Sequence, residues 1–421
     1  MNRINVDEKS NDDLDSNVEK INGPVNVVRL EGNVHGITKV IYLFMDQHNF
    51  VTHQTQCTNV YSEDISKYFS KNFRELNTAT KKYDFFLEIW PTKIFYGLNY
   101  KTFRDRYIDE VAKLFAKIFS YDKEKNKVNI SDQFQNVRLH YLDIRDYLEQ
   151  DVYNLFLEAF NVIISYWRNG LHGQLFGHTV DLLYRGKKQI DFLIEILENP
   201  SIKISKKIPV IQEINNNVME PETIAYLVHK IKNVYKHNDV SNKINGILNE
   251  LINDFKNFSK YIKTSIDHIL FYDDLIINSF TKFQRDPNYD KKIDIVGISP
   301  YKERMIMAEI TNTCQKIDRD AVRLFSQLTD IYFLRRFLDK DYITNAIVYT
   351  GANHSDNYIR ILITHFDFKI THVSYSPIGE IRALNEEIKM RLKNGDNLSD
   401  LFIPVTAYQC SDMTDFPKNF A

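Results

Sequence analysis

The sequence predicts an α/β fold: a mostly parallel central sheet flanked by helices, with a large helical insertion forming a cap. Three observations predict it. In residues 24–146, short apolar runs rich in β-branched and aromatic residues alternate with segments of helical periodicity. The same alternation resumes in residues 291–421. Between them, residues 147–290 carry helical spacing almost throughout.

The chain opens on MNRINVDEKSNDDLDS, which is polar, leans acidic and has no apolar signal-peptide core. Residues 1–23 read as a disordered tail ending at Gly23-Pro24. Val25 to Leu30 is a short strand, and Glu31 to Gly36 has turn chemistry. Thr38 to Phe44 is a strand whose unbroken run VIYLF implies burial on both faces, as in a parallel sheet. It stops at Met45-Asp46-Gln47-His48.

Ser62 to Leu76 predicts a helix, with Ile65, Tyr68, Phe69 and Phe73 on one face and Ser62 as N-cap. Tyr83 to Leu87 is a second strand, ending at Glu88. Phe103 to Phe119 is a helix, and Val137 to Tyr141 a third strand that runs into Asp143 and Arg145. In the insertion, Ile244, Leu248, Leu251, Ile252, Phe255 and Phe258 keep helical spacing over several turns, continued by Ile262, Ile266, Ile269 and Leu270. After it, Asp294 to Gly297 and Met305 to Ile310 are short strand candidates, and Ile317 to Leu338 is a long helix. Asn345 to Thr350 is a strand ending at Gly351-Ala352-Asn353-His354. Ser355 to Phe366 is a helix and Lys369 to Tyr375 another strand; the stretch from Asn394 offers no readable chemistry.

Composition limits the function classes. The 421 residues allow one large domain with insertions, or two domains. With 54 basic against 56 acidic residues, the chain has no electrostatic signature of a nucleic-acid binder. No apolar run reaches the roughly 20 residues of a membrane span. Cys57, Cys314 and Cys410 form no CxxC pair and no zinc spacing, which fits a reducing compartment without a disulfide framework.

The chemistry concentrates at strand ends, where open α/β sheets bind ligands. Asp46 and His48 are two apart, so continued strand geometry would put both side chains on one side. The alternative is a loop aspartate and a surface histidine. Glu88 repeats the pattern after YDFFL, or is simply the first solvent-facing residue there. Gly351 allows close backbone approach at its strand tip, and His354 stands where the next helix presents free N–H groups. A capping loop with Asn353 or Ser355 as N-cap is the alternative. Arg335 continues the apolar face Ala321, Leu324, Leu328 and Ile331, so it is either paired, with Asp330 or Glu88 as partner, or snorkels at the helix end. His140, Asp143 and Arg145 follow the third strand as outer-layer candidates or as a structural ion-pair cluster. His172 and His178 sit in a glycine-containing break that is either a lid or a turn.

Asp46-Gln47-His48 and Gly351–His354 are superficially similar to the D-x-H and G-N-H-[DE] motifs of calcineurin-like metallophosphoesterases. The chain departs from that family in lacking GDxxD between them and GHxH downstream. The runs LFMDQH, FFLE, DIYFLRRF and VYTGANHSDNYIRIL, in this order around a helical middle, resemble the superfamily of erythromycin-esterase-like, ChaN-like and TraB/Tiki-like proteins. About half the chain is covered, in two separated blocks. Met45 departs from the small residue usual in the first motif. A narrower resemblance links IYLFMDQH, YDFFLE, RLHYLDIRDY, DIYFLRRF and IVYTGANHSDNYIRIL to proteins of large DNA viruses of the mimivirus type.

These resemblances imply a hydrolase-like protein acting on a small-molecule or peptide substrate, located in host cytoplasm or virion. His48, Glu88, His354 and Arg335 would be catalytic. In a metal-free version one histidine activates water, Glu88 fixes its tautomer and Arg335 holds an anionic substrate group or stabilises the oxyanion. In a metal version Asp46, His48, Glu88 and His354 ligate a divalent ion. His140, Asp143, Arg145 and Asp330 would support either one. The rival expectation is a non-enzymatic virion or host-interaction protein on a degenerate hydrolase scaffold.

Overall fold

A computed structural model describes residues 19–48, 56–89, 106–122, 127–145, 150–169, 174–199, 221–284, 300–406 and 408–420. The chain divides into two compact units, Met1–Asp143 with Phe333–Ala421, and Ile144–Tyr332.

The first unit contains a sheet of six strands. These are β2 (Asn26–Val34), β3 (Ile37–Asp46), β5 (Tyr83–Leu87), β8 (Val137–Tyr141), β9 (Asn345–Gly351) and β10 (Lys369–Val373). Their order is β10-β2-β3-β9-β5-β8. The β3–β9, β9–β5 and β5–β8 pairs are parallel, whereas β10–β2 and β2–β3 are antiparallel. The fold is mixed α/β with a sheet of mixed orientation: the expected parallel pairing holds across β3, β9, β5 and β8, and β2 and β10 run antiparallel at one edge. The cause is local. Strand β2 runs on to Val34, and His35 and Gly36 both take left-handed backbone angles, with φ of 55° and 76°. A two-residue turn of that kind folds the chain straight back into an antiparallel hairpin.

Strand β9 lies between β3 and β5, so the sheet needs both ends of the sequence. On one face, helices α1 (Ile65–Glu75) and α2 (Tyr107–Ile118) bury an aromatic core with Phe44, Phe69, Phe73, Phe85, Phe115 and Tyr349 in contact. Phe69 and Phe73 stack at 5.3 Å, and Phe85 meets Phe115 at 5.0 Å. Such ring pairs add about 0.5–1.5 kcal/mol each beyond the area they bury. The opposite face takes Phe333, 4.9 Å from Phe86, and Tyr358 of the helix after β9, 4.8 Å from Phe333.

The second unit is helical among its described residues: α3 (Gln150–Asn169), α4 (Gln174–Glu198), α5 (Pro221–Asn233), α6 (Asn238–Gln284) and most of α7 (Pro300–Asp339). The apolar stripe of α6 is buried from Val240 to Ile269, but Leu270 is exposed. Met305 to Ile310, expected as a strand, lie inside α7. Isoleucine and methionine fit either state in so short a run, and the helical context of the flanking residues prevails. The strand expected at Asp294 to Gly297 falls outside the described residues.

Three further expectations change. Lys20–Asn22, placed in the tail, form strand β1 between β11 (Cys410–Asp412) and β4 (Glu63–Asp64). Cys57 and Cys410 are joined in a disulfide across 353 residues of sequence, so the chain does contain one. Asp64 rather than Ser62 precedes α1, and Ser62 instead accepts a hydrogen bond from Asn22. Before β8, the short strands β6 (Tyr121–Asp122) and β7 (Lys127–Val128) pair antiparallel, and beyond β9 the chain continues through α8 (Ala352–Phe366), α9 (Ile381–Asn394) and α10 (Ser399–Phe402).

Candidate functional site

The C-terminal end of β9 organises a buried polar network. Register puts Asp46 of β3 opposite Gly351 of β9, and β5 ends beside them at Leu87. Glu88 follows β5, its N–H donating to the Tyr349 carbonyl at 3.0 Å. Its carboxylate receives the Gly351 N–H at 2.6 Å and the Thr350 hydroxyl at 2.7 Å, both on Oε2. His354, in the first turn of α8, points Nε2 at Glu88 Oε1 at 3.2 Å.

His48 connects the two sides. Strand β3 ends at Asp46, and His48 takes a left-handed φ of 54°, so the strand does not continue to it. Yet Nδ1 lies 2.9 Å from Asp46 Oδ2 and Nε2 lies 3.2 Å from Glu88 Oε2. Carboxylates only accept hydrogen bonds, so both ring nitrogens carry protons and His48 is an imidazolium. A positive φ at a non-glycine residue costs about 1–3 kcal/mol and persists only where surrounding contacts hold it. Here the two carboxylates do so. The ring passes over Gly351, where a Cβ would stand 3.0 Å from Nε2 and 3.4 Å from Glu88 Oε2. Gly351 has φ −57°, so close approach and not a special backbone angle calls for glycine there.

The electrostatics follow from the geometry. Burial works against a charged His48, but the Glu88 charge and the hydrogen bonds to Asp46 and Glu88 outweigh it and push the pKa up to about 10. Burial would raise the Glu88 carboxyl, but the His354 and His48 charges and their hydrogen bonds hold it well below the usual carboxylate range. Side-chain exposure is graded: 29% for His48, 7% for His354, 5% for Glu88 and 0% for Asp46. His48 is therefore the member that solvent reaches. Oδ1 of Asp46 is buried without a hydrogen-bond partner.

The arrangement does not fit the expected metal set of Asp46, His48, Glu88 and His354. Asp46 stands behind His48 on Nδ1, and Glu88 Oε2 already receives Thr350, Gly351 and His48. Among the described residues no group of three or more His, Cys, Asp or Glu has the geometry to hold a metal ion.

The remaining expected residues divide between the two units. Arg335 is buried on α7, with 5% of its surface exposed, so it does not snorkel. His140 does not support Glu88. Its Nε2 bonds Asp84 Oδ1 at 2.7 Å, and Arg138 grips Asp84 through two bonds of 2.9 and 2.6 Å. Burial and the Arg336 charge lower the His140 pKa to about 4, against the pull of Asp84. Asp143 is buried just past β8, while Arg145 and Asp330 belong to the second unit. His172 falls outside the described residues, and His178 is an exposed residue of α4 near Glu158. Sequence reasoning missed Thr350, Asp84 and Arg138. The signals were a hydroxyl inside an apolar strand end and a carboxylate inside YDFFL, which burial obliges to find a cation.

A family profile described as a family of unknown function (DUF5847) matches residues 19–421. A protein of Acanthamoeba polyphaga mimivirus, described as uncharacterized protein R706, is 42% identical over 97% of this chain and 98% of its own. Two more from the same virus, R161 and R160, are 35% and 36% identical over 97% of this chain and 99% and 98% of their own. These likenesses agree with the giant-virus resemblance and lend nothing to the wider one with esterase-like and TraB/Tiki-like proteins. No solved structure matches the chain.

Proposed function

Because the chain belongs to the family of unknown function DUF5847, we propose its activity from the site alone: a metal-free hydrolytic centre in which His48 is the acid and Glu88 the acceptor of the water proton. The single observation that carries this is His48 bridging Asp46 and Glu88 while keeping 29% of its side chain exposed.

An imidazolium with a pKa near 10 is protonated at neutral pH, so His48 enters the reaction as an acid and not as a base. It gives its Nε2 proton to the leaving oxygen or nitrogen of an ester or amide. Water attacks the carbonyl carbon as that bond breaks, and its proton passes to Glu88. The two transfers assist each other. Loss of charge on His48 removes a cation that holds the Glu88 proton affinity down. Return of the proton from Glu88 to His48 restores the starting ion pair. His354 orients Glu88 from the side opposite His48, and Arg335 is the buried cation assigned to the developing oxyanion.

The test is hydrolysis of a panel of activated esters and short peptide anilides. Loss of one acid–base group costs about 100- to 10,000-fold, so His48→Gln and Glu88→Gln should each fall by that factor. Wild type turning over no substrate faster than His48→Gln would overturn the reading. One observation favours a second reading, a purely structural network: Asp46, Glu88 and His354 are all nearly enclosed. That reading predicts loss of stability in both variants with no hydrolysis by wild type.

A further inference from the structure

The Cys57–Cys410 disulfide grips strand β1 from both sides. On one side, the Cys57 N–H donates to Asn22 Oδ1 at 2.8 Å, and Cys57 Sγ lies 3.5 Å from the Ile21 carbonyl. On the other, Cys410 pairs with Asn22 in the antiparallel β1–β11 ladder. Strand β1 has three residues and its parallel neighbour β4 has two. A ladder that short is marginal without a further tie.

The strand leads directly to the candidate site. Gly23 N–H donates to the Gln409 carbonyl at 3.0 Å, and Val25 N–H donates to the Met45 carbonyl at 2.8 Å. Met45 immediately precedes Asp46, the carboxylate that holds His48 Nδ1. A continuous run of backbone contacts therefore links the sulfur bond to the acid-positioning residue.

We propose that this disulfide is a reversible redox latch that sets the order of β1 and, through it, the placement of Asp46 against His48. Both cysteine residues are half-buried and neither is enclosed. Closure proceeds by thiol–disulfide exchange with a small-molecule disulfide such as oxidised glutathione. One protein thiolate attacks it and releases one glutathione thiol. The second attacks the mixed disulfide and releases the other, so two electrons pass from the protein to glutathione. A dithiol reductant reverses the sequence. The third cysteine does not compete, because Cys314 is buried and burial pushes its thiol up to about 12.

The functional consequence rests on the acid role of His48, but the experiment does not use activity. Full-length protein is equilibrated with oxidised glutathione or with dithiothreitol. Thiols are counted by maleimide labelling after denaturation, and His48 is titrated by NMR. Among the described residues, Asp46 from β3 and Glu88 after β5 contact its ring, and His354 from α8 faces the other oxygen of Glu88. The expected result is one labelled thiol when oxidised and three when reduced, with the His48 midpoint falling on reduction by roughly one pH unit, a tenfold loss of proton affinity. The Cys57→Ser/Cys410→Ser double variant should titrate like the reduced protein under both conditions. Three thiols after oxidation would remove the latch. One thiol with an unchanged His48 titration would remove its coupling to the site. Absence of hydrolysis by wild type would count against the proposed function and leave both readouts standing.

Discussion

The His48 imidazole lies across Gly351, so close that a methyl group on that glycine would come within 3.0 Å of Nε2. The histidine belongs to the first third of the chain and the glycine to the last. Their contact exists because β9 enters the sheet beside β3 in parallel, with Asp46 opposite Gly351.

Gly351→Ala should therefore displace His48 without straining the backbone, since φ −57° suits any L residue. Forcing a methyl into a filled space costs about 1–3 kcal/mol. Urea unfolding should show a loss in that range, and the His48 ring resonances should shift. An unchanged spectrum would mean that the ring does not sit over this glycine.

Glu88→Gln keeps the shape of the side chain but removes the charge that both histidines face. Breaking a buried ion pair from one side costs about 3–5 kcal/mol. The His48 midpoint should drop substantially, because Glu88 is the leading cause of its upward shift. A His48 midpoint near 10 in the variant would assign the shift to Asp46 alone.

The pH dependence has a definite sign. The folded pKa of His48, about 10, lies above its ordinary 6.5, so its contribution to stability is complete below pH 6.5 and disappears as pH rises through 10. The gap in melting temperature between wild type and His48→Asn should thus be widest near pH 6 and close towards pH 10. A gap that widens with rising pH would contradict an imidazolium. Glu88, held below its ordinary 4.5, acts at the other end: its contribution is present above that value and is lost as pH falls towards the depressed one.

Asp84 supplies a control. It is fully buried on β5, gripped by Arg138 and His140, and none of its hydrogen bonds described above goes to His48, Glu88 or His354. Asp84→Asn should cost about 3–5 kcal/mol by removing the buried charge that Arg138 and His140 face, while the His48 titration stays within about 0.3 unit of wild type, since well-separated sites with no shared partner act independently. A large movement of the His48 midpoint would join the two clusters into one network.

Much of this was legible in the sequence because it is written locally. VIYLFMD, YDFFLE and NAIVYTG each announce a buried strand that ends on a polar residue, since an apolar run can end only where the chain meets water or a polar partner. That placed Asp46, His48, Glu88, Gly351 and His354 at strand ends; in the structure β3 ends at Asp46 and β9 at Gly351, His48 and Glu88 follow β3 and β5 by one or two residues, and His354 stands in the first turn of α8. Tertiary structure decided everything that depends on which strand lies beside which. Insertion of β9 between β3 and β5 brings two histidines onto one carboxylate. In-register pairing of β5 with β8 gives Asp84 its arginine and takes His140 away from the site. The meeting of β1 with β11 joins two cysteines that sequence spacing kept apart. The left-handed pair His35-Gly36, within a stretch of turn chemistry, folds β2 and β3 into a hairpin at the edge of an otherwise parallel group of strands. Periodicity reports the environment of one residue at a time, whereas pairing is a property of two segments and is settled by register and burial once the whole sheet has closed.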